Sequence, residues 1–198
     1  MSTPWRELDT PADVAERLVA VYEVLGDGHY DEAVSQSQHA AQSAALARRA
    51  GASDPLVVAA LLHDLGHLLG GEPESGPNHR DMHHEVVAAR FLSRWYGPEV
   101  TEPIRHHVAA TRYLCAIEPG YHATLSPASV RSLDLQGGVM SLDEVAAFEQ
   151  LPGAVDAATL RRWDDLAKDP ELEVDDVRSY LDVLTSLAAP GRASPGAC

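Results

Sequence analysis

Behind Thr10-Pro11-Ala12-Asp13, which reads as an N-cap, a first-turn proline and a first-turn acid, apolar residues recur at Val14, Leu18, Val21 and Leu25, the spacing of one helix face. This helix is predicted to end near Gly26-Asp27-Gly28. A second is predicted over Ser37–Arg49, stopping at Gly51, and a third begins after Ser53-Asp54-Pro55 and runs unbroken to Gly70-Gly71. Further helices are predicted over Met82–Tyr96, Val100–Ala116, Pro127–Leu135, Leu142–Gln150, Val155–Lys168 and Val174–Ala188. The period-two alternation of strands is absent. The pattern therefore predicts an all-α chain, with one helical domain over residues 1–189 and a disordered tail at 190–198. Residues 70–80, rich in Gly, Pro, Glu, Ser and Asn, read as a loop, either solvated or folded over a pocket.

One apolar run contains two residues that do not belong in a core. Leu61-Leu62-His63-Asp64-Leu65-Gly66-His67 carries a histidine and an aspartate, and a buried ionised carboxylate is costly unless a cation or hydrogen bonds compensate it. A metal ion is the simplest compensation. His63 and His67, four residues apart, share a helix face, and Asp64 lies about 100° round the axis from His63. His39, His84, His107 and Asp164 extend the set to other predicted helices. His83 and His106 stand directly beside His84 and His107. One residue's shift turns a helical side chain by about 100°, so only one member of each doublet faces a given site, and spacing does not say which. By ligand type, iron, manganese and zinc all suit such a set.

The 198-residue chain carries a formal charge of -15, which argues against a surface for nucleic acid or an anionic membrane. A small anion stays open, because it feels the local field of a metal pocket rather than the net charge. A chain of this length can bury a core without a structural metal, so a metal here is expected to be functional. Cys115 and Cys198 make no disulfide framework, and neither a secretory leader nor a membrane-spanning apolar stretch is present. Together these predict a cytoplasmic protein. Nothing indicates an oligomeric state.

Six stretches carry a resemblance: Glu32 to His39, Ala59 to His67, His84-Glu85, His107 to Leu114, Ser129 with Gln136-Gly137-Gly138, and Arg161-Arg162-Trp163-Asp164. They resemble the HD-domain superfamily, and within it the small oxygen-dependent, phosphonate-cleaving branch typified by 2-amino-1-hydroxyethylphosphonate dioxygenase. Myo-inositol oxygenase is a more distant relative. The resemblance spans roughly Tyr30 to Lys168. It implies a helical bundle holding a mixed-valent Fe(II)/Fe(III) pair and no organic cofactor. His39, His63, Asp64 and Asp164 would hold one iron, and Asp64, His84 and His107 the other, with Asp64 bridging. It also implies that dioxygen is used to cleave the carbon–phosphorus bond of a 1-hydroxyalkylphosphonate bearing a 2-amino or 2-trimethylammonio group, giving a carboxylate and inorganic phosphate.

By the same resemblance Asp64 and His67 are catalytic, His67 bonding near the metal-bound substrate. Ser129, Gln136 and Arg161 line the phosphonate end, and Tyr30 and Glu32 belong to a lid over the other end. Two positions depart from the branch. It has a lysine four residues after the last metal-binding histidine, where this chain has Thr111 and one positive charge fewer in the anion site. Its lid has a tyrosine three residues before a glutamate, whereas Tyr30 precedes Glu32 by two and His29 holds the equivalent place. Either His29 or Tyr30 could then reach the open iron position. Ordinary roles compete throughout: Arg161 in a salt bridge with Asp164 or Asp165, and Ser129 and Gln136 as a cap or turn pair. The competing function is an HD-type phosphohydrolase acting on a small phosphomonoester or nucleotide, with the same metals generating a hydroxide nucleophile. A scaffold with a structural metal is a third.

Overall fold

The computed structural model describes residues 10–28, 33–69 and 83–189, and among these all regular structure is helical. Helix α1 (Pro11–Leu25) starts as its sequence predicts: Thr10 is extended and its hydroxyl accepts from the Asp13 N–H. Its inner face is Val14, Ala15, Leu18, Val19 and Tyr22. Helix α2 (Gln36–Arg49) opens on a capping box between Ser35 and Gln38. Ala40, Ala41, Ala44 and Ala47 form its buried side, and such small side chains let the helix lie close to its neighbours while seating His39 in the interior.

Helix α3 (Asp54–Leu62) is buried from Leu56 to Leu62, the pattern of a helix surrounded by others. It stops at Leu62, which corrects the unbroken helix predicted to Gly70-Gly71: His63 and Asp64 form a turn, and α4 (Leu65–Leu69) follows. Carbonyls at the end of α3 take side-chain donors. Tyr22 Oη donates to Leu61 O at 3.0 Å, and His63 Nδ1 to Ala60 O at 2.8 Å, so both are satisfied without continuing the ladder. The next helix, α5 (His84–Leu92), is shorter at both ends than the predicted Met82–Tyr96. His83, before it, is left-handed with φ 49°, and Met82 falls outside the described residues.

Helix α6 (Pro98–Ile117) is the longest and packs along α9 (Ala154–Leu166), α5 and α3. It passes through Pro103, which removes one ladder donor near the start of the helix. Helices α7 (Pro127–Leu135) and α8 (Leu142–Glu149) follow their predictions closely. A smaller cluster of Ala110, Leu114, Tyr121, Phe148, Ala154, Ala157 and Ala158 joins the far half of α6 to α8 and the start of α9. The predicted helix over Val174–Ala188 is corrected to a 3-10 turn at Val177–Tyr180 leading into α10 (Leu181–Leu187). Asp176 accepts from the Ser179 N–H there and starts the structure later.

At Gly66 a Cβ would run into the carbonyl group of His84, so only glycine lets α4 approach the start of α5 this closely. That approach sets His84 beside Asp64. The loop at 70–80 and the tail at 190–198 lie outside the described residues. Among the described residues no helix is long and apolar enough to cross a membrane.

Candidate metal centre

Histidine rings from α2, the α3–α4 turn, α5 and α6 meet around Asp64, with Asp164 arriving from α9. Three sets of side chains each bring one ligand atom within 4.8 Å of the others: His39, His63 and Asp164; His63, Asp64 and His107; Asp64, His67 and His84. Asp64 Oδ2 lies 3.6 Å from His39 Nε2, while its Oδ1 lies 3.3 Å from His84 Nε2, 3.5 Å from His63 Nε2 and 3.6 Å from His107 Nε2. One carboxylate thus spans the sets. Asp164 Oδ1 lies 3.3 Å from His39 Nε2.

Three of the rings are fixed from behind. His39 Nδ1 donates to Ala167 O at the end of α9, His63 Nδ1 to Ala60 O in α3, and His107 Nδ1 to Ile104 O in α6, each at 2.8 Å. A neutral imidazole that donates from Nδ1 carries a lone pair on Nε2. Those lone pairs face inward. His39 and His63 stand Nε2 to Nε2 at 3.1 Å, and His84 and His107 at 3.3 Å, contacts that repel unless a proton or a cation lies between them. With metal–nitrogen bonds of about 2.1 Å, adjacent ligand atoms lie roughly 3.0 Å apart at right angles and about 3.4 Å apart at the tetrahedral angle. The observed spacings match. The donor set therefore fits metal, and the fixed Nδ1 partners are the carbonyl anchors that such ligands characteristically use.

Electrostatics agree. Burial would raise the Asp64 carboxyl, but the charges and hydrogen bonds of His63, His84 and His67 hold it well below the usual carboxylate range. Burial acts likewise on Asp164, and the Arg161 guanidinium with the His39 hydrogen bond overrides it, again leaving the carboxyl well below that range. His63 and His107 are pushed down by burial. His39 is also buried, yet its bond to Asp164 and the Asp164 and Asp64 charges raise it. For the metal-free protein the two depressed rings contribute stability that is present above the unfolded histidine value of about 6.5 and lost as pH falls towards their folded values, while His39 contributes in the opposite sense. His107 is pushed well below its ordinary value, and His106, lowered by its own burial, acts in the same sense. The chelated protein is therefore expected to melt at a lower temperature at pH 5.5 than at pH 7.5 by scanning calorimetry, and a higher melting temperature in acid would contradict this balance.

Both histidine doublets are resolved by packing. His84 and His107 face the centre, whereas His83 is 73% exposed beside Glu85, and His106 turns to Glu102 at 3.4 Å and to the Phe148 ring. His67 stacks on His84 with ring centroids 4.0 Å apart, on the more accessible side. Ser129 and Arg161 are brought together at 2.9 Å. Arg161 also donates to Asp164 Oδ2 at 2.7 Å and to Asp165 Oδ1 at 2.5 Å, so it does form the ion pairs that compete with a substrate role. Gln136 ends α7 and donates to Ser132 of its own helix at 2.9 Å. Thr111 is buried on α6, one turn beyond His107. Tyr30, Glu32 and His29 lie outside the described residues.

Sequence reasoning missed two residues at this edge, Lys168 and Tyr121. Lys168 Nζ lies 3.4 Å from Ser129 Oγ and 4.0 Å from Asp164 Oδ1. Tyr121 Oη donates to Asp165 Oδ2, and Asp165 in turn pairs with Arg161. The spacing of four from Asp164 to Lys168 was the available signal. Tyr121 offered none.

Comparison with known proteins adds three findings. Residues 37–136 match the HD domain. The chain is 46% identical over 171 residues to a hydroxymethylphosphonate dioxygenase of Gimesia maris, an alignment covering 83% of this chain and 85% of that protein. It is 36% identical over 169 residues, with the same coverage of both chains, to a glycine-betaine-forming 1-hydroxy-2-(trimethylamino)ethylphosphonate dioxygenase of Leisingera caerulea.

Proposed function

This chain belongs to the HD-domain family, and on that premise we propose that it is a metal-dependent dioxygenase cleaving the carbon–phosphorus bond of a 1-hydroxyphosphonate. The products are a carboxylate and inorganic phosphate. Dioxygen is the oxidant: one of its oxygen atoms ends on carbon and the other on phosphorus, a proton is released, and the electrons come from the C1–H and carbon–phosphorus bonds. The observation that carries the reading is the likeness to two phosphonate dioxygenases over 83% of the chain, joined to a buried donor set that one carboxylate spans.

In this reading the resident metals are two irons, one held by His39, His63, Asp64 and Asp164 and the other by Asp64, His84 and His107. Iron bound there would supply Lewis acidity towards the substrate hydroxyl and would relay the substrate's electrons to dioxygen. The chain's own work is positional. Asp64 fixes the separation of the two donor groups, and the Ala167, Ala60 and Ile104 carbonyls keep His39, His63 and His107 from turning. Arg161 holds the Asp164 carboxylate through Oδ2, leaving Oδ1 aimed inward. His67, beside His84 and Asp64, is placed to hydrogen-bond the substrate hydroxyl and take up its proton.

Protein loaded anaerobically with ferrous iron and partly oxidised is given hydroxymethylphosphonate, the trimethylamino substrate and its 2-amino analogue, with and without dioxygen. Phosphate and carboxylate are expected in equal amounts from at least one of them, and only with dioxygen present. Phosphate release without dioxygen from phosphomonoesters, and none from phosphonates, would instead make the protein a phosphohydrolase.

A further inference from the structure

We propose that Glu85 is a positioning residue for His84: its carboxylate accepts the His84 Nδ1 proton and makes that ring a stronger metal donor than the three rings backed by carbonyls. This rests on the metal pair proposed above and not on the identity of the substrate. Glu85 lies in the first turn of α5 and is 7% exposed. A buried carboxylate is costly unless both its oxygens are met. Its Oε1 lies 3.4 Å from Nδ1 of the exposed His83. Among the described residues its Oε2, shielded from solvent, has no hydrogen-bond partner, and His84 Nδ1 stands 3.7 Å away from it.

The chemistry of the ring supports the pairing. His84 Nε2 faces the centre, 3.3 Å from Asp64 Oδ1 and 3.3 Å from His107 Nε2. A ring that gives its Nε2 lone pair to a cation carries its proton on Nδ1. The stack on His67 fixes the plane of the His84 ring without choosing its tautomer, and an acceptor at Nδ1 makes that choice. A shift of about 1 Å, within the freedom of a glutamate side chain, turns the approach into a charge-assisted bond of about 2.8 Å. His39, His63 and His107 give their Nδ1 protons to neutral carbonyls, whereas a carboxylate draws the proton further and raises the basicity of Nε2. On the opposite side the sign is reversed, because the Arg161 cation bonds the Asp164 carboxylate and weakens it as a donor. The two donor groups that share Asp64 are therefore unequal, with an anion behind His84 and a cation behind Asp164.

The test uses protein loaded with ferrous iron without dioxygen, so that turnover plays no part. In a crystal structure of the loaded wild type, Glu85 Oε2 is expected within about 3.0 Å of His84 Nδ1. A separation above about 3.5 Å, or a different acceptor on His84 Nδ1, would overturn the proposal even if no variant folded. By competition with a chelator, Glu85→Met is expected to lower the affinity for one of two iron ions about 10–100-fold and to leave the other within about threefold. Glu85→Gln, whose amide oxygen still accepts, should recover part of that loss, and His83→Gln should bind both ions as wild type does. Equal weakening of both ions, or a lower melting temperature of metal-free Glu85→Met with both affinities intact, would make Glu85 a support for the start of α5 and overturn the proposal. Iron absent from His84 in the wild type would overturn the two-metal reading and this proposal with it. Iron bound to His84 with Glu85 turned away would leave that reading standing and overturn the proposal alone.

Discussion

Asp64→Asn is expected to lower phosphonate turnover by at least about a thousandfold and to reduce the metal bound per chain, while the helical fold is kept. Asp64 is the side chain that approaches His39, His63, His84 and His107. The amide keeps its shape but has one acceptor oxygen, no charge, and an NH2 that cannot bind a cation. That NH2 would donate to inward-facing Nε2 atoms, closing with hydrogen bonds the gap the cation needs. The neighbouring histidines hold Asp64 below the usual carboxylate range, so the amide gives up that stabilisation and the metal-free variant should melt below the metal-free parent at pH 7.5. Metal analysis, far-ultraviolet circular dichroism and phosphate release measure the three parts separately. Full metal content in Asp64→Asn would remove the basis for a shared carboxylate.

Arg161→Met should be the most destabilising single change at this site, costing about 3–5 kcal/mol, because it takes the nearest counter-charge from buried Asp164 and partly buried Asp165. For a chain of this size that is a drop of roughly 10 °C in melting temperature. The Asp164 carboxyl owes much of its depressed pKa to that guanidinium, so its removal weakens a metal ligand as well as the fold. Saturating metal should recover part of the loss, since a cation again faces Asp164. Asp165→Asn in the Arg161→Met background should recover another part, a coupling that a double-mutant cycle reads directly. A melting temperature for Arg161→Met within about 2 °C of wild type would mean that the pairs are too well solvated to matter.

Most helices could be read from periodicity and caps. Helix α1 begins at Pro11 behind the Thr10 cap and α7 at Pro127, both as expected, while α3 begins at Asp54, two residues before the expected start, since caps and first-turn prolines are local chemistry. The break at His63-Asp64 could not be read. It follows from two α3 carbonyls taken by Tyr22 and by the His63 ring, and Tyr22 is a partner far away in sequence. The late start of α10 has a local cause, the Asp176 cap, hidden because the apolar spacing continues through it.

Sequence by itself determined the inventory at the centre: an aspartate and a histidine inside an apolar run, further histidines on separate helices, and an acid near the chain's end. Burial makes such residues conspicuous one at a time, with no neighbour known. Only the tertiary structure decided which of His83 or His84 and of His106 or His107 turns inward. Those outcomes depend on how α4 meets α5 at Gly66 and how α6 lies on α9. Helix periodicity fixes the direction of a side chain about its own axis, but the packing of one helix against another fixes what that side chain meets.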